Sequence, residues 1–165
     1  MPSAALSRKR LESHLQQAST FSSPKLSLEQ YPTSAMVAAD ILFNMQTTDG
    51  ALEGMSVADF GCGPGIFSIG SRLLGASLIL VTQFVISQRF SGLDTQFLQT
   101  ALSTAQSHVY SMHKTSTRKH ILRTIELAGA HGKVVAELRF DIPRMYKRHK
   151  KESVDIEVDF VHSWF

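Results

Sequence analysis

The sequence predicts an α/β fold that opens on a strand, a glycine-rich turn and a helix and closes on an antiparallel pair of strands. Three observations predict it. Met55-Ser56-Val57-Ala58 is short and mostly apolar, Asp59-Phe60-Gly61-Cys62-Gly63-Pro64-Gly65 brings three alternating glycines, and Ile66, Phe67, Ile69, Gly70, Leu73 and Leu74 then recur at helical spacing. Residues 78–86 (LILVTQFVI) are apolar and β-branched enough for a buried strand. Near the end, Val134, Ala136, Leu138 and Phe140 alternate with other residues, and Val154, Ile156, Val158 and Phe160 alternate with Asp155, Glu157 and Asp159. Such strict alternation, with charges on one face, suits antiparallel strands half open to water.

The remaining elements follow in order. Residues 1–24 mix Ser, Gln and basic residues with a weak helical pattern at Leu6, Leu11 and Leu15, ended by Ser22-Ser23-Pro24. They read as an N-terminal extension ahead of one domain over 25–165. Thr33 or Ser34 can cap a helix whose apolar stripe is Val37, Ala38, Ile41, Leu42 and Met45, with a turn at Asp49-Gly50. Phe97, Leu98, Ala101, Leu102, Ala105 and Val109 mark an amphipathic helix running into a strand near 109–112. Ser116 or Thr117 opens another helix, with Ile121, Leu122, Ile125 and Leu127 apolar and Gly129 as its stop. Residues 141–153 connect the two terminal strands.

At 165 residues the chain holds one domain with a real core and falls short of two ordinary ones. An apolar content of 43% with 19% charged residues describes a soluble globular protein. The single cysteine, Cys62, excludes an internal disulfide and fits a reducing compartment. The first 30 residues carry no apolar run, so no secretory signal is expected. The longest apolar-rich stretch, Leu73 to Ile86, lies between Arg72 and Arg89 and is too short to span a bilayer. The net charge of +3 is unevenly placed: Arg144, Lys147, Arg148, His149, Lys150 and Lys151 crowd into eight positions. That run is either a solvated loop or a surface for nucleic-acid phosphates, and composition does not choose between them.

Strand, alternating glycines and helix form the layout of a nucleotide-cofactor loop. Glycines let the backbone turn sharply and approach a ligand, and the new helix offers unpaired N–H groups. Such a loop normally works with a carboxylate at the end of the next strand, about 20 residues on. Residues 60–93 contain no Asp or Glu.

Three stretches together carry a resemblance. They are Leu28-Glu29-Gln30-Tyr31-Pro32-Thr33; Ala58-Asp59-Phe60-Gly61-Cys62-Gly63 with Leu74-Gly75-Ala76; and Tyr146-Lys147-Arg148-His149-Lys150-Lys151 with Ser153-Val154-Asp155-Ile156-Glu157-Val158-Asp159. With them the chain resembles the methyltransferase-like protein five family, S-adenosylmethionine-dependent N6-adenine methyltransferases of small-subunit ribosomal RNA. The resemblance covers residues 8–76 and 94–161. It implies a Rossmann-like class I methyltransferase sheet flanked by helices, incomplete in the middle, with the terminal antiparallel strand pair.

It further implies roles for individual residues. Gln30 and Thr33 would touch the methionine end of S-adenosyl-L-methionine, where residues alone suggest an ordinary loop and a helix cap. Asp59 would take the ligand's ammonium, Gly61 and Gly63 would allow close backbone approach, and Pro64 would stand at a neighbouring contact. Lys147, Arg148, Lys150 and Lys151 would grip RNA phosphates. The family works as a heterodimer with a small zinc-binding activator subunit that adds a strand at the sheet edge. Any zinc would belong to that partner, because one cysteine and scattered histidines make no ligand set here. Residence in nucleus and cytoplasm fits rRNA work.

The family pattern breaks between Ala76 and Asp94, which are separated by only 17 residues. One strand–helix–strand unit alone takes about 30, so 77–93 reads as the junction of a deletion. Residues 78–86 can fill the second or the fourth strand position of the family sheet, but not both. The family's catalytic loop, Asn-Pro-Pro-Phe, has no counterpart. No two of the five prolines are adjacent, and the only asparagine, Asn44, lies in a helix. No catalytic residue is assigned. Two functions remain: the family's rRNA adenine methylation, and a non-catalytic shortened isoform that binds RNA or a partner weakly or is degraded.

Overall fold

The computed structural model describes residues 6–22, 32–82, 92–143 and 153–165. It divides into two compact units, Met1–Arg89 and Phe90–Phe165.

The first unit begins with helix α1 (Arg8–Leu15), whose Ser7 hydroxyl accepts from the Arg10 N–H at 3.4 Å. Leu11 and Leu15, one helical turn apart, are buried against Ala38, Ala39 and Leu42 of α2 (Ala35–Asp49) and against Leu52. The weak pattern in the N-terminal segment thus becomes half of a core. Arg8 joins the two helices at the surface by pairing with Glu12 of its own helix and Asp40 of α2. Ser34 caps α2, its hydroxyl accepting from the Val37 N–H at 3.3 Å, and Gly50 ends the helix with φ 61°. A glycine suits that left-handed stop because it carries no Cβ.

Strand β1 (Ser56–Phe60) leads through the glycine turn into α3 (Ile66–Leu73) and on to β2 (Leu78–Thr82), which pairs with β1 in parallel register, Ser56 opposite Leu78 and Phe60 opposite Thr82. Val57, Ile66, Phe67 and Leu74 pack onto the α1–α2 core. The other face of the strand pair is open: Ala58 is exposed, and Leu78 and Leu80 are 49% and 57% accessible. Parallel strands are ordinarily buried on both faces. The expected strand over 78–86 is seen to Thr82, and its last four residues lie outside the described residues.

The second unit holds α4 (Leu93–Thr104), β3 (His108–Lys114), a 3₁₀ turn at Thr115–Thr117, α5 (Arg118–Leu127), β4 (His131–Pro143) and β5 (Ser153–Trp164). The strands form one antiparallel sheet in the order β3-β5-β4, with an irregularity between Val134 and Ala136. Leu98 and Leu102 of α4 and Ile121 and Ile125 of α5 close over Val109 and Val161 to make the core. The expected pairing of the two terminal strands is present, and β5 continues past Phe160 to Trp164.

One expectation changes. Alternation placed Asp159 on a water-facing row, yet it is fully buried. Arg118 reaches it from α5 through Nε at 2.6 Å and a second nitrogen at 2.7 Å, and the Thr115 hydroxyl donates at 2.8 Å. A buried carboxylate is tolerable only with such partners. Across the described residues, then, the strands fall into two sheets, β1-β2 and β3-β5-β4, with no described strand joining them. This is the interrupted architecture implied by the resemblance.

Candidate cofactor site

The candidate site is the turn between β1 and α3. Gly61, Gly63 and Gly65 take φ values of 77°, 53° and 85°, a left-handed run that side chains disfavour. Two hydrogen bonds fix where the turn leaves the sheet: the N–H groups of Gly61 and Cys62 both donate to the Thr82 carbonyl, at 3.0 and 3.1 Å. The Gly65 N–H donates to the Cys62 carbonyl at 2.8 Å and closes the turn. The Gly63 N–H donates to no described residue, so one backbone donor at the apex stays unspent.

Asp59 sits one residue before the end of β1. Its Oδ2 accepts from the Ser68 hydroxyl at 2.5 Å. Burial raises the Asp59 pKa above the ordinary carboxylate value, and hydrogen bonds from the Ser68 side chain and backbone N–H partly offset this. A cationic ligand group beside a carboxylate so placed would favour its charged form. Burial, followed by the Asp59 charge, pushes the Cys62 thiol up, so it is a poor nucleophile at neutral pH.

Thr33 precedes the cap of α2, and Ser34 does the capping. The half-buried Thr33 hydroxyl makes no hydrogen bond among the described residues, so it is not consumed by the helix. Asp59, Gly61, Gly63 and Pro64 are contiguous at the turn. Gln30, Lys147, Arg148, Lys150 and Lys151 lie outside the described residues.

Phe21 is a residue the sequence did not single out. A Cβ on Gly63 would stand 3.2 Å from its ring Cζ, so an alanine there would press on the ring as well as strain φ. No local pattern marks Phe21, because its partner lies far along the chain. Ser68 was equally silent, as one serine in an apolar helix.

Among the described residues no three His, Cys, Asp or Glu side chains are grouped to hold a metal ion, and no helix is long and apolar enough to cross a membrane.

No family model matches the chain. It is 39% identical over 199 aligned positions to the rRNA N(6)-adenosine-methyltransferase METTL5 of Danio rerio, covering 93% of this chain and 96% of that protein. It is 37% identical over 204 positions to the protein Mettl5 of Drosophila melanogaster, also an rRNA N(6)-adenosine-methyltransferase, covering 95% of this chain and 96% of the relative. Both alignments are longer than the 165 residues of the chain, so both contain positions that the chain lacks. Among solved structures it is similar to PH1948 of Pyrococcus horikoshii, assigned as an RNA methyltransferase, with a TM-score of 0.72, 26% identity and 95% of each chain covered. The architecture is therefore the α/β methyltransferase fold, and the chain belongs to the rRNA N6-adenosine methyltransferase family.

Proposed function

We propose that this chain is a catalytically incomplete form of an S-adenosylmethionine-dependent rRNA adenine-N6 methyltransferase, able to hold part of the cofactor and to contact ribosomal RNA without transferring the methyl group. Methyltransferase families generally use S-adenosylmethionine, and the turn fits it on three observations. The glycine run has an unspent N–H at Gly63, Asp59 is a desolvated carboxylate suited to an ammonium, and the Thr33 hydroxyl is free of the helix cap. When bound, the cofactor supplies an electrophilic methyl on its sulfonium. Asp59 and Thr33, together with Gln30, Gly61, Gly63 and Pro64, would bind and orient its methionine half.

The observation that carries the second half of the reading is the interruption of the strand order. The glycine turn and the terminal sheet are both kept, but the described residues contain no strand linking β1-β2 to β3-β5-β4, and the sequence has no Asn-Pro-Pro-Phe loop. Without that loop, the described residues offer no group placed to hold the adenine amino group in line with the methyl. Such orientation is worth about 7–11 kcal/mol of the barrier. Residues 144–151 would grip RNA phosphates, and work in nucleus and cytoplasm suits that substrate. The zinc-binding activator would dock weakly, because strand addition needs an intact sheet edge.

The test is methyl transfer from labelled S-adenosylmethionine to rRNA lacking the modification, with the activator subunit present. The chain as it stands should give background counts. The same chain with the missing segment restored between Ala76 and Asp94 from a full-length relative should turn over. Equal rates for the two would overturn the proposal.

A further inference from the structure

We infer that strand β2 is the surface through which two copies of this chain associate, edge to edge and antiparallel, with Leu80 at the two-fold axis. β2 is apolar and open on both faces. Leu78 and Leu80 are 49% and 57% accessible on one face, and Val81 is 57% accessible on the other. Among the described residues its one strand neighbour is β1, so its other edge presents backbone N–H and C=O groups with no described strand to take them. An open edge of this kind is a template for another strand. β1 offers the poorer edge, because its exposed middle residue is only Ala58 and the next one, Asp59, is charged and held by Ser68.

Three observations choose a second copy as the occupant. From Leu73 to Gln88 the sequence holds no charged residue and no proline. Soluble proteins guard open edges with lysine, proline or inward-pointing charges. β2 carries none of these, so it can meet its own copy with no like charges opposed. The register is also self-matching. In antiparallel pairing about Leu80, that leucine meets its own counterpart, Ile79 meets the counterpart of Val81, and Leu78 meets that of Thr82. A two-fold axis normal to the sheet keeps both leucine rows on one face and joins the copies into four strands, an isologous contact. Finally, β2 lies within 77–93, the segment read as the junction of a deletion, and the two alignments run to 199 and 204 positions against 165 residues. A strand laid bare by the loss of its own chain carries no charged or polar pattern for a foreign protein to complement, whereas a second copy brings the matching apolar edge.

The experiment is sedimentation velocity of the full chain over a range of protein concentrations. The wild type should shift from monomer to dimer as concentration rises. Leu80→Lys sets like charges directly opposite each other and should leave a monomer, and Leu80→Glu should do the same. An equal mixture of the two variants should dimerise again, because the opposed charges now attract. Neither misfolding nor a general gain in solubility gives that rescue. A wild-type chain that stays monomeric at every concentration would overturn the inference. So would dimers that persist in both single variants, or monomeric variants whose mixture stays monomeric. A wild-type chain that does not self-associate but forms a heterodimer with the activator subunit, lost in Leu80→Lys, would assign the strand to that subunit instead. Association is read without cofactor or RNA, so its failure leaves the methyltransferase reading untouched.

Discussion

Asp59 and Ser68 face each other across the glycine turn, the serine hydroxyl donating to Oδ2 at 2.5 Å. The bond ties the end of β1 to the first turn of α3 and holds the carboxylate at the helix N-terminus, where the backbone N–H of Ser68 also supports it. Position and desolvation together leave Asp59 prepared for a cation. Asp59→Asn keeps the shape and removes the charge, so it should weaken S-adenosylmethionine binding by about tenfold or more, the loss of one charge-assisted hydrogen bond at roughly 1.5–3 kcal/mol. Calorimetric titration is the measurement. The wild-type chain should itself bind weakly, because the ribose and adenine contacts of the missing strands are gone. Wild-type affinity in the Asp59→Asn variant would remove this carboxylate from the site.

Gly63 is held by two constraints, and they can be separated. Its φ of 53° costs an alanine about 1–2 kcal/mol, and the Phe21 ring stands 3.2 Å from the added methyl. Gly63→Ala should lower unfolding stability by at least that conformational cost in a urea titration. Adding Phe21→Ala relieves the contact but not the dihedral, so the double variant should stay below the Phe21→Ala single variant. Equal stabilities for those two would show that φ is not a constraint here.

How much of this could be read in advance depended on the distance over which each feature is decided. The glycine turn, the Ser34 cap and stop glycines such as Gly129 are local, fixed by dihedrals and first-turn donors, and the sequence carries them openly. The stripe Val37, Ala38, Ile41 and Leu42 declared α2 by spacing alone. The insertion of β5 between β3 and β4 was hidden, because pairing between residues such as Tyr110 and His162 leaves no periodic mark. Asp159 misled for a related reason. Alternation reports which face a side chain takes, not whether an arginine waits there. At the candidate cofactor site, Asp59, Gly61, Gly63 and Pro64 were proposed from one short motif, whereas Ser68 and Phe21 acquire meaning only through folded contacts.

His113 provides a pH test of the second unit. It is 6% exposed, and neither ring nitrogen has a hydrogen-bond partner among the described residues. Burial lowers its pKa below the usual imidazole value. Asp94 of α4 and Asp159 of β5 pull it back up, and His120 of α5 lowers it again. The unfolded chain therefore binds a proton that the folded chain refuses between the folded pKa and about 6.5. The His113 contribution is favourable above that window and is lost as pH falls through it. Urea midpoints should fall between about pH 7.5 and pH 5 in the wild type and fall less in His113→Phe. An identical pH response in the two proteins would assign the acid sensitivity to other groups.

The pairing of Arg118 with Asp159 makes a prediction of the same sign for the acid limb. Hydrogen bonds from Arg118, then from Thr115, hold the Asp159 carboxyl below the ordinary value against the effect of burial. The two acceptors, Asp159 first and Glu137 second, raise the guanidinium pKa in return. A depressed carboxylate contributes stability that is present above its unfolded pKa and is lost as pH falls through the folded one. Arg118→Ala leaves Asp159 buried with only Thr115 beside it, so burial then raises its pKa. The variant should melt well below the wild type at neutral pH, because a buried charge has lost its counterion. As the pH falls and Asp159 becomes protonated, that penalty disappears, and the two melting temperatures should converge. Calorimetric scans from neutral to acid pH read the gap directly. A gap that stays constant, or widens in acid, would mean that Arg118 acts through packing of its stem rather than through the charge of Asp159.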